Sequence, residues 1–218
     1  MNITWIFPLL SAYLLGSLPT ALIVSHLVAR SDIRLMGDGN MGARNTAYTL
    51  GWKAGWFVAA IDISKGACSI WLAQAFGLDS FWQVLTGACV VLGHDFPIFA
   101  GFRGGQGLAA TIGVFFVLAP RETLYGLGAY LVLYLLTRNF DVSAGAGIAL
   151  LVFQTYRFGG TPELILGEVA LVLLVPGKKF LDRHQAALKI EEPSTENSLP
   201  TADTEAQNGF QENTSLHR

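Results

Sequence analysis

Two short stretches of this chain gather groups able to hold phosphate. The first, "GDGNMGARN", runs from Gly37 to Asn45. Glycine permits positive φ and a close approach of backbone to ligand. Successive backbone N–H groups in such a loop form an anion-binding nest. Asn40 and Asn45 add side-chain donors that a plain linker does not need. The spacing matches neither GxxxxGK[ST] nor a GxGxxG following a strand. A ligand loop is favoured over a flexible linker. The second stretch, "FRGGQGLAAT", runs from Phe102 to Thr111 and sets Arg103 and three glycines directly before an apolar run. Helix N-termini bind anions through unpaired N–H groups and the macrodipole. Close packing through small residues explains the same glycines equally well at this point.

Three further residues bear on chemistry. Asp62 and Lys65 lie three apart and so share a helix face. An internal ion pair and a substrate contact by Lys65 near the inner face are compatible readings. His94 sits beside Asp95. A lone histidine is more often a hydrogen-bonded structural residue, but its place next to the Gly101 to Gly107 loop suits an acid/base group. No GxSxG and no Ser/His/Asp order are present, so nothing supports a covalent acyl-serine.

The elements that must position these residues are membrane helices. Of 218 residues, 52% are hydrophobic and 14% charged, against about 25% charged in soluble domains; the mean hydropathy is +0.45. These values predict an integral membrane protein. A net charge of −2 gives no general pull toward nucleic acid. Cys68 and Cys89 fall in apolar runs and read as small buried hydrophobes. Without CxxC or a Cys/His cluster, no metal site is expected.

A spanning helix needs about 20 apolar residues. Ile3 to Ala29, Ala54 to Phe76 and Phe81 to Ala100 meet this, the first as an uncleaved span. Leu108 to Ala119, Thr123 to Thr137, Ser143 to Tyr156 and Glu163 to Pro176 are short or glycine-interrupted. Counting all gives about seven transmembrane helices in an all-α fold; merging the short ones would give five. With seven spans and the N-terminus outside, and Lys65 left uncounted within a span, Arg30, Arg34, Arg44, Lys53, Arg103, Arg138, Lys178, Lys179, Arg183 and the tail's Lys189 and Arg218, which count for little, fall inside, and only Arg121 and Arg157 outside. That asymmetry supports N-out/C-in. Three glycine-bearing connections, 31–53, 101–107 and 138–145, then share one face, which makes an anion site at the membrane surface the expectation. Residues 1–183 read as the membrane domain and 184–218 as a polar, disordered cytoplasmic tail.

Together these residues resemble the bacterial acyl-phosphate:glycerol-3-phosphate acyltransferase family, the PlsY family. The likeness covers roughly Tyr13 to Arg183. "YLLGSLPTALIVSHL" resembles the family's first span. "GDGNMGARN" is similar to its GSGNxGATN, "DISKG" to DxxKG, and "GHDFPIFAGFRGGQGLAAT" to GHxFPxFxxFKGGKGxAT. "TRNFDVSAGA" is a looser match to TRxxSxxS. The resemblance implies transfer of an acyl group from acyl phosphate to the 1-hydroxyl of glycerol-3-phosphate, giving lysophosphatidic acid and phosphate. It implies no coenzyme A, metal or acyl-enzyme, and a bacterial inner-membrane protein working from the cytoplasmic side. His94, Asn45 and Ser143 are the implied catalytic residues. Gly39, Asn40, Gly42, Arg44, Lys65, Arg103, Gly104, Gly105, Gln106 and Gly107 are the implied substrate-binding residues.

Departures matter. Asp38 replaces a serine of the pattern, Arg44 a threonine and Gln106 a lysine; Ser143 matches, and Ala146 stands for the second serine. A site for two anions has lost one positive charge. A charge-assisted hydrogen bond contributes about 1.5 to 3 kcal/mol, so the missing lysine costs roughly ten- to a hundredfold. Arg44 offsets this if it points into the same pocket; an Asp38–Arg44 pair would neutralise both. The alternatives to the enzyme are a weakened homologue that binds a phospholipid precursor or partner, and a small anion transporter. The transporter would want inverted halves, and the sequence shows no repeat.

Overall fold

The computed structural model describes residues 3–191. Among them every regular element is helical: α1 (Ile6–Gly16), α2 (Thr20–Ala29), α3 (Ala43–Leu50), α4 (Trp52–Ala75), α5 (Ser80–Asp95), α6 (Leu108–Leu118), α7 (Pro120–Thr137), α8 (Phe140–Arg157) and α9 (Pro162–Glu191). Short 3-10 turns occupy Ile3–Trp5, Ile33–Leu35 and Ile98–Ala100. The protein is an all-α integral membrane protein. Ile3–Ala29, Trp52–Ala75 and Ser80–Ala100 are long and apolar enough to cross a bilayer. The later expected spans are helical too, but fall short of that length or apolarity.

Three details differ from the sequence reading. The first span is broken into α1 and α2 at Ser17 to Pro19. Proline has no N–H and its ring crowds the preceding turn, so the helix cannot run through it. Inside the 31–53 connection lies a helix, α3, that apolar-run counting cannot detect. The last helix continues past Pro176 to Glu191, beyond the domain edge expected at Arg183. The remainder of the expected tail, residues 192–218, lies outside the described residues. The chain forms one compact unit up to Lys179.

Helix pairs approach through glycine. A Cβ on Gly16 would strike the Val90 carbonyl and one on Gly93 the Tyr13 carbonyl, locking α1 to α5. Gly66 and Gly113 do the same for α4 and α6, where a side chain would meet the carbonyls of Ala110 and Ile63. Gly126 and Gly147 face each other between α7 and α8. Lipid is as apolar as leucine, so helices in a bilayer associate by such close contact rather than by expelling water. This is why the later apolar runs look glycine-interrupted.

The outer surface is apolar as well. Leu27 and Leu136 are 79% and 76% exposed. Cys68 is exposed and Cys89 half-buried. This corrects the expectation that both are buried, since an apolar residue facing lipid needs no inward position. Aromatic pairs mark one end of the bundle, with Trp5 stacked on Trp82 and Phe7 on Phe76. Trp52 and Trp56 at the opposite end of α4, and Tyr48 on α3, are exposed, as interfacial rings are.

Candidate active site

The first glycine loop is built around Asn45. This residue is 2% exposed. Its Nδ2 donates to the carbonyls of Met36 (2.9 Å), Asn40 (3.0 Å) and, at 3.4 Å, Ile33. Its Oδ1 accepts from the Asp38 N–H at 3.1 Å. The loop therefore folds around this one amide. Gly37 and Gly39 have φ of +58° and +73°, conformations that l-residues with side chains rarely adopt. Asp38 accepts from the Asn40 N–H at 3.0 Å, a local turn and not a pair with Arg44. Gly42 is the N-cap of α3.

The second loop folds against the end of α5. Gly105 N–H donates to the His94 carbonyl at 3.1 Å. Each glycine answers a steric demand. A Cβ on Gly104 would strike the His94 carbonyl, and one on Gly105 would land on His94 Nε2. Gly107 caps α6 with φ +68°, and a Cβ there would lie 3.0 Å from Asp95 Oδ1. The start of α6 thus already faces a carboxylate of the chain itself, which the helix dipole favours. Gly105 therefore packs directly on the Nε2 edge of the His94 ring, and both residues are buried. Arg103 is exposed and Gln106 half-buried. Among the described residues, neither makes a side-chain hydrogen bond or ion pair.

Several contacts bring the three connections to one end of the bundle. Arg34 Nη1 donates to the Ala100 carbonyl at 3.2 Å, joining the first loop to the second. Ile33 and Met41 pack with Ala100 on α2 and α4 side chains. Arg34 also bonds Asp32 through both carboxylate oxygens, at 3.0 and 2.6 Å. That guanidinium holds the Asp32 carboxyl below the usual carboxylate range. Arg44 lies over the Phe140 ring at 4.9 Å and 3.9 Å from Asp141, joining the first loop to the third. From α9, Lys179 bonds Asp141 at 2.7 Å and Lys178 sits 5.2 Å from the Phe96 ring centroid.

The residues expected from sequence therefore sort by their contacts. Gly39, Asn40, Gly42, Arg103, Gly104, Gly105, Gln106 and Gly107 lie in the two joined loops, with His94 beneath the second. Arg44 turns toward Phe140 and Asp141 and is 60% exposed in its side chain. Ser143 is fully buried, its hydroxyl donating to the Asn139 carbonyl at 2.7 Å. Lys65 is 4% exposed, and its ammonium donates to the Leu18 carbonyl (2.6 Å), Thr20 Oγ1 and Asp62 Oδ1 (2.8 Å). Its three protons are all spent within the protein. Sequence reasoning counted Lys178 only toward topology; a buried lysine on an aromatic ring beside the second loop carries no motif that would have revealed it.

Most of the chain is similar to known proteins. The model of the glycerol-3-phosphate acyltransferase family matches residues 6–188. The chain is 38% identical over 176 residues to glycerol-3-phosphate acyltransferase 4 of Dehalococcoides mccartyi, covering 81% of this chain and 95% of that one. It is also 38% identical over 180 residues to the glycerol-3-phosphate acyltransferase of Listeria monocytogenes, covering 80% and 85%. Crystal structures of the integral membrane acyltransferase PlsY share the fold. Its glycerol-3-phosphate form aligns with a TM-score of 0.76 at 28% identity, over 85% of this chain and 92% of that one. Its lysophosphatidic acid form aligns with a TM-score of 0.74. By the extent of these matches, the chain belongs to the glycerol-3-phosphate acyltransferase family.

Proposed function

We propose that this protein transfers a fatty acyl group from acyl phosphate to the 1-hydroxyl of glycerol-3-phosphate, releasing lysophosphatidic acid and inorganic phosphate. The hydroxyl oxygen attacks the acyl carbonyl carbon. The bond from that carbon to the phosphate oxygen breaks, and the phosphate leaves with the electron pair. The hydroxyl proton passes to a substrate phosphate or to His94. Phosphate is a good leaving group, so alignment of the two substrates supplies much of the rate. Backbone N–H groups of both glycine loops, with Arg103, hold the phosphates and the charge that develops at the carbonyl. Gln106 offers a neutral donor in the same loop. Asn45 and Ser143 act by holding the first and third loops in shape.

The observation that carries this reading is the joining of the two glycine loops over His94, with the Arg103 side chain making no hydrogen bond or ion pair among the described residues. The active site lies on the cytoplasmic side of the bacterial inner membrane in this reading, supported by the arginines and lysines gathered at the loop end. The test is direct. The protein, purified in detergent, receives an acyl phosphate and labelled glycerol-3-phosphate. Labelled lysophosphatidic acid is expected. None above a heat-killed control refutes the reading.

A further inference from the structure

We propose that Lys178 reaches in from α9 to supply the substrate-phosphate cation that the second loop lacks at Gln106. The inference rests on the proposed function for its substrates, and it needs no proton transfer by any side chain. The site is short of positive charge for two phosphates. Gln106 is neutral where the family pattern has a lysine. Arg44 lies over the Phe140 ring and 3.9 Å from Asp141. Lys65 gives its protons to the Leu18 carbonyl, Thr20 and Asp62. Within the second loop that leaves Arg103, one guanidinium for two phosphate-bearing substrates.

The helix, rather than the loop, places Lys178. Leu171 and Lys178 lie seven residues apart in α9, two helical turns, and so share a face. That face is buried, since the two are 1% and 6% exposed. Leu171 belongs to the apolar core with Val90 and Val91 of α5. Two turns on, Lys178 Nζ sits 5.2 Å from the Phe96 ring centroid, within cation–π range. Phe96 is itself held in place. Tyr13 donates to its carbonyl at 2.9 Å, and its own N–H donates to the Leu92 carbonyl at 2.8 Å. The next residue, Pro97, is one on which Gly104 of the second loop packs. The ammonium is also close enough to His94 for its charge to act there, and the Gly105 N–H donates to the His94 carbonyl. Lys178 is therefore held against the segment on which the second loop folds. Lys179, about 100° further round the helix, turns instead to Asp141 at 2.7 Å. Ionisable groups buried at membrane depth are costly, and they pair with one another or mark substrate pathways. An ammonium has three donors, so a contact within the protein and one to phosphate are compatible. Lysine serves phosphate as a point charge and needs no fork geometry. The cation can thus come from a helix in place of the loop.

The experiment uses the full chain in detergent, with an acyl phosphate and labelled glycerol-3-phosphate. Lys178→Met keeps an unbranched stem against Phe96 and removes the charge; Lys178→Gln replaces it if that variant does not fold. The KM for one of the two substrates should rise about ten- to a hundredfold, as loss of one charge-assisted hydrogen bond requires, with kcat changed less than about threefold. The substrate whose KM rises is the one whose phosphate Lys178 holds. Adding Gln106→Lys to Lys178→Met returns a cation to the loop and should recover about tenfold or more of the lost KM. Lys179→Met removes the same charge from the next position and should leave both KM values as they are. Titration calorimetry reads the cation without turnover, using glycerol-3-phosphate and, for the phosphate of the acyl donor, inorganic phosphate. At least one Kd should weaken about tenfold or more in Lys178→Met. Unchanged KM values in Lys178→Met, no recovery in the double variant, or an equal rise in Lys179→Met overturns the proposal. So do equal affinities, or no binding of either probe by the unaltered protein. If the unaltered protein binds a probe but shows no acyl transfer, the proposed function fails, and the calorimetry still decides the role of Lys178.

Discussion

Asn45→Ala separates a scaffolding amide from a reacting one. The substitution removes the donor serving the carbonyls of Met36 and Asn40, a longer contact to Ile33, and the acceptor of the Asp38 N–H. A neutral hydrogen bond contributes about 0.5–1.5 kcal/mol net. Three well-formed bonds therefore sum to roughly 1.5–4.5 kcal/mol. Asp38 is exposed and Met36 and Asn40 are half-buried, so water replaces part of what is lost and the lower half of that range applies. Taking about 2–3 kcal/mol, the loop's open population rises roughly 30- to 150-fold. Amide hydrogen exchange read by mass spectrometry reports this directly. Peptides covering 36–46 should exchange faster by about that factor, while peptides from the α4–α6 contact stay unchanged. The KM for glycerol-3-phosphate should rise in parallel. Collapse of kcat with no change in exchange would refute the scaffolding role and return Asn45 to the chemistry.

Other outcomes follow from the same geometry. Gln106→Lys restores a cation to a loop whose neighbouring Arg44 turns away toward Phe140; the rate should rise or the KM for a phosphate substrate fall, by about tenfold or more if one charge-assisted bond forms, and no change in either would place Gln106 outside the substrate pocket. Gly105→Ala puts a methyl on His94 Nε2, so activity should be lost while thermal stability in detergent falls by no more than a few degrees; retained activity would exclude Nε2 as the proton acceptor. Asp141→Ala removes exposed ion pairs with Arg44 and Lys179, which contribute about 0–1 kcal/mol each, so a thermal unfolding midpoint lowered by much more than that allows would reveal a larger role. The Asp32 carboxyl titrates below its unfolded value of about 3.9. Its stabilisation is complete above that value and is lost as the pH falls through the lowered native one. Hydrogen exchange of the 32–35 turn should therefore owe no pH dependence to this pair between roughly pH 6 and 8, once intrinsic exchange chemistry is removed, and Asp32→Asn should reproduce the acid state at neutral pH.

Composition and motif order determined the class of molecule, its apolar helices and the two glycine loops whose residue types are able to hold phosphate. They did so because these signals are local. A run of apolar residues reads the same in any context, and glycine beside arginine carries its chemistry with it. The break at Pro19 was legible in principle, since proline cannot donate to the preceding turn, but hydropathy averages over it. Partner choice was not legible. Nothing along the chain says that Asn45 spends its amide on three carbonyls, that Ser143 bonds the backbone four residues before it, or that Arg44 seeks Phe140 rather than Asp38. Nor does sequence spacing reveal that Lys65 closes a gap in another helix. Hydrogen bonds and ion pairs depend on the distance between atoms far apart in the chain, and only the packing of helices through Gly16, Gly66, Gly93 and Gly113 sets those distances. The residue types fixed what chemistry was available; the close approach of helices in lipid decided which groups were already spent on the fold.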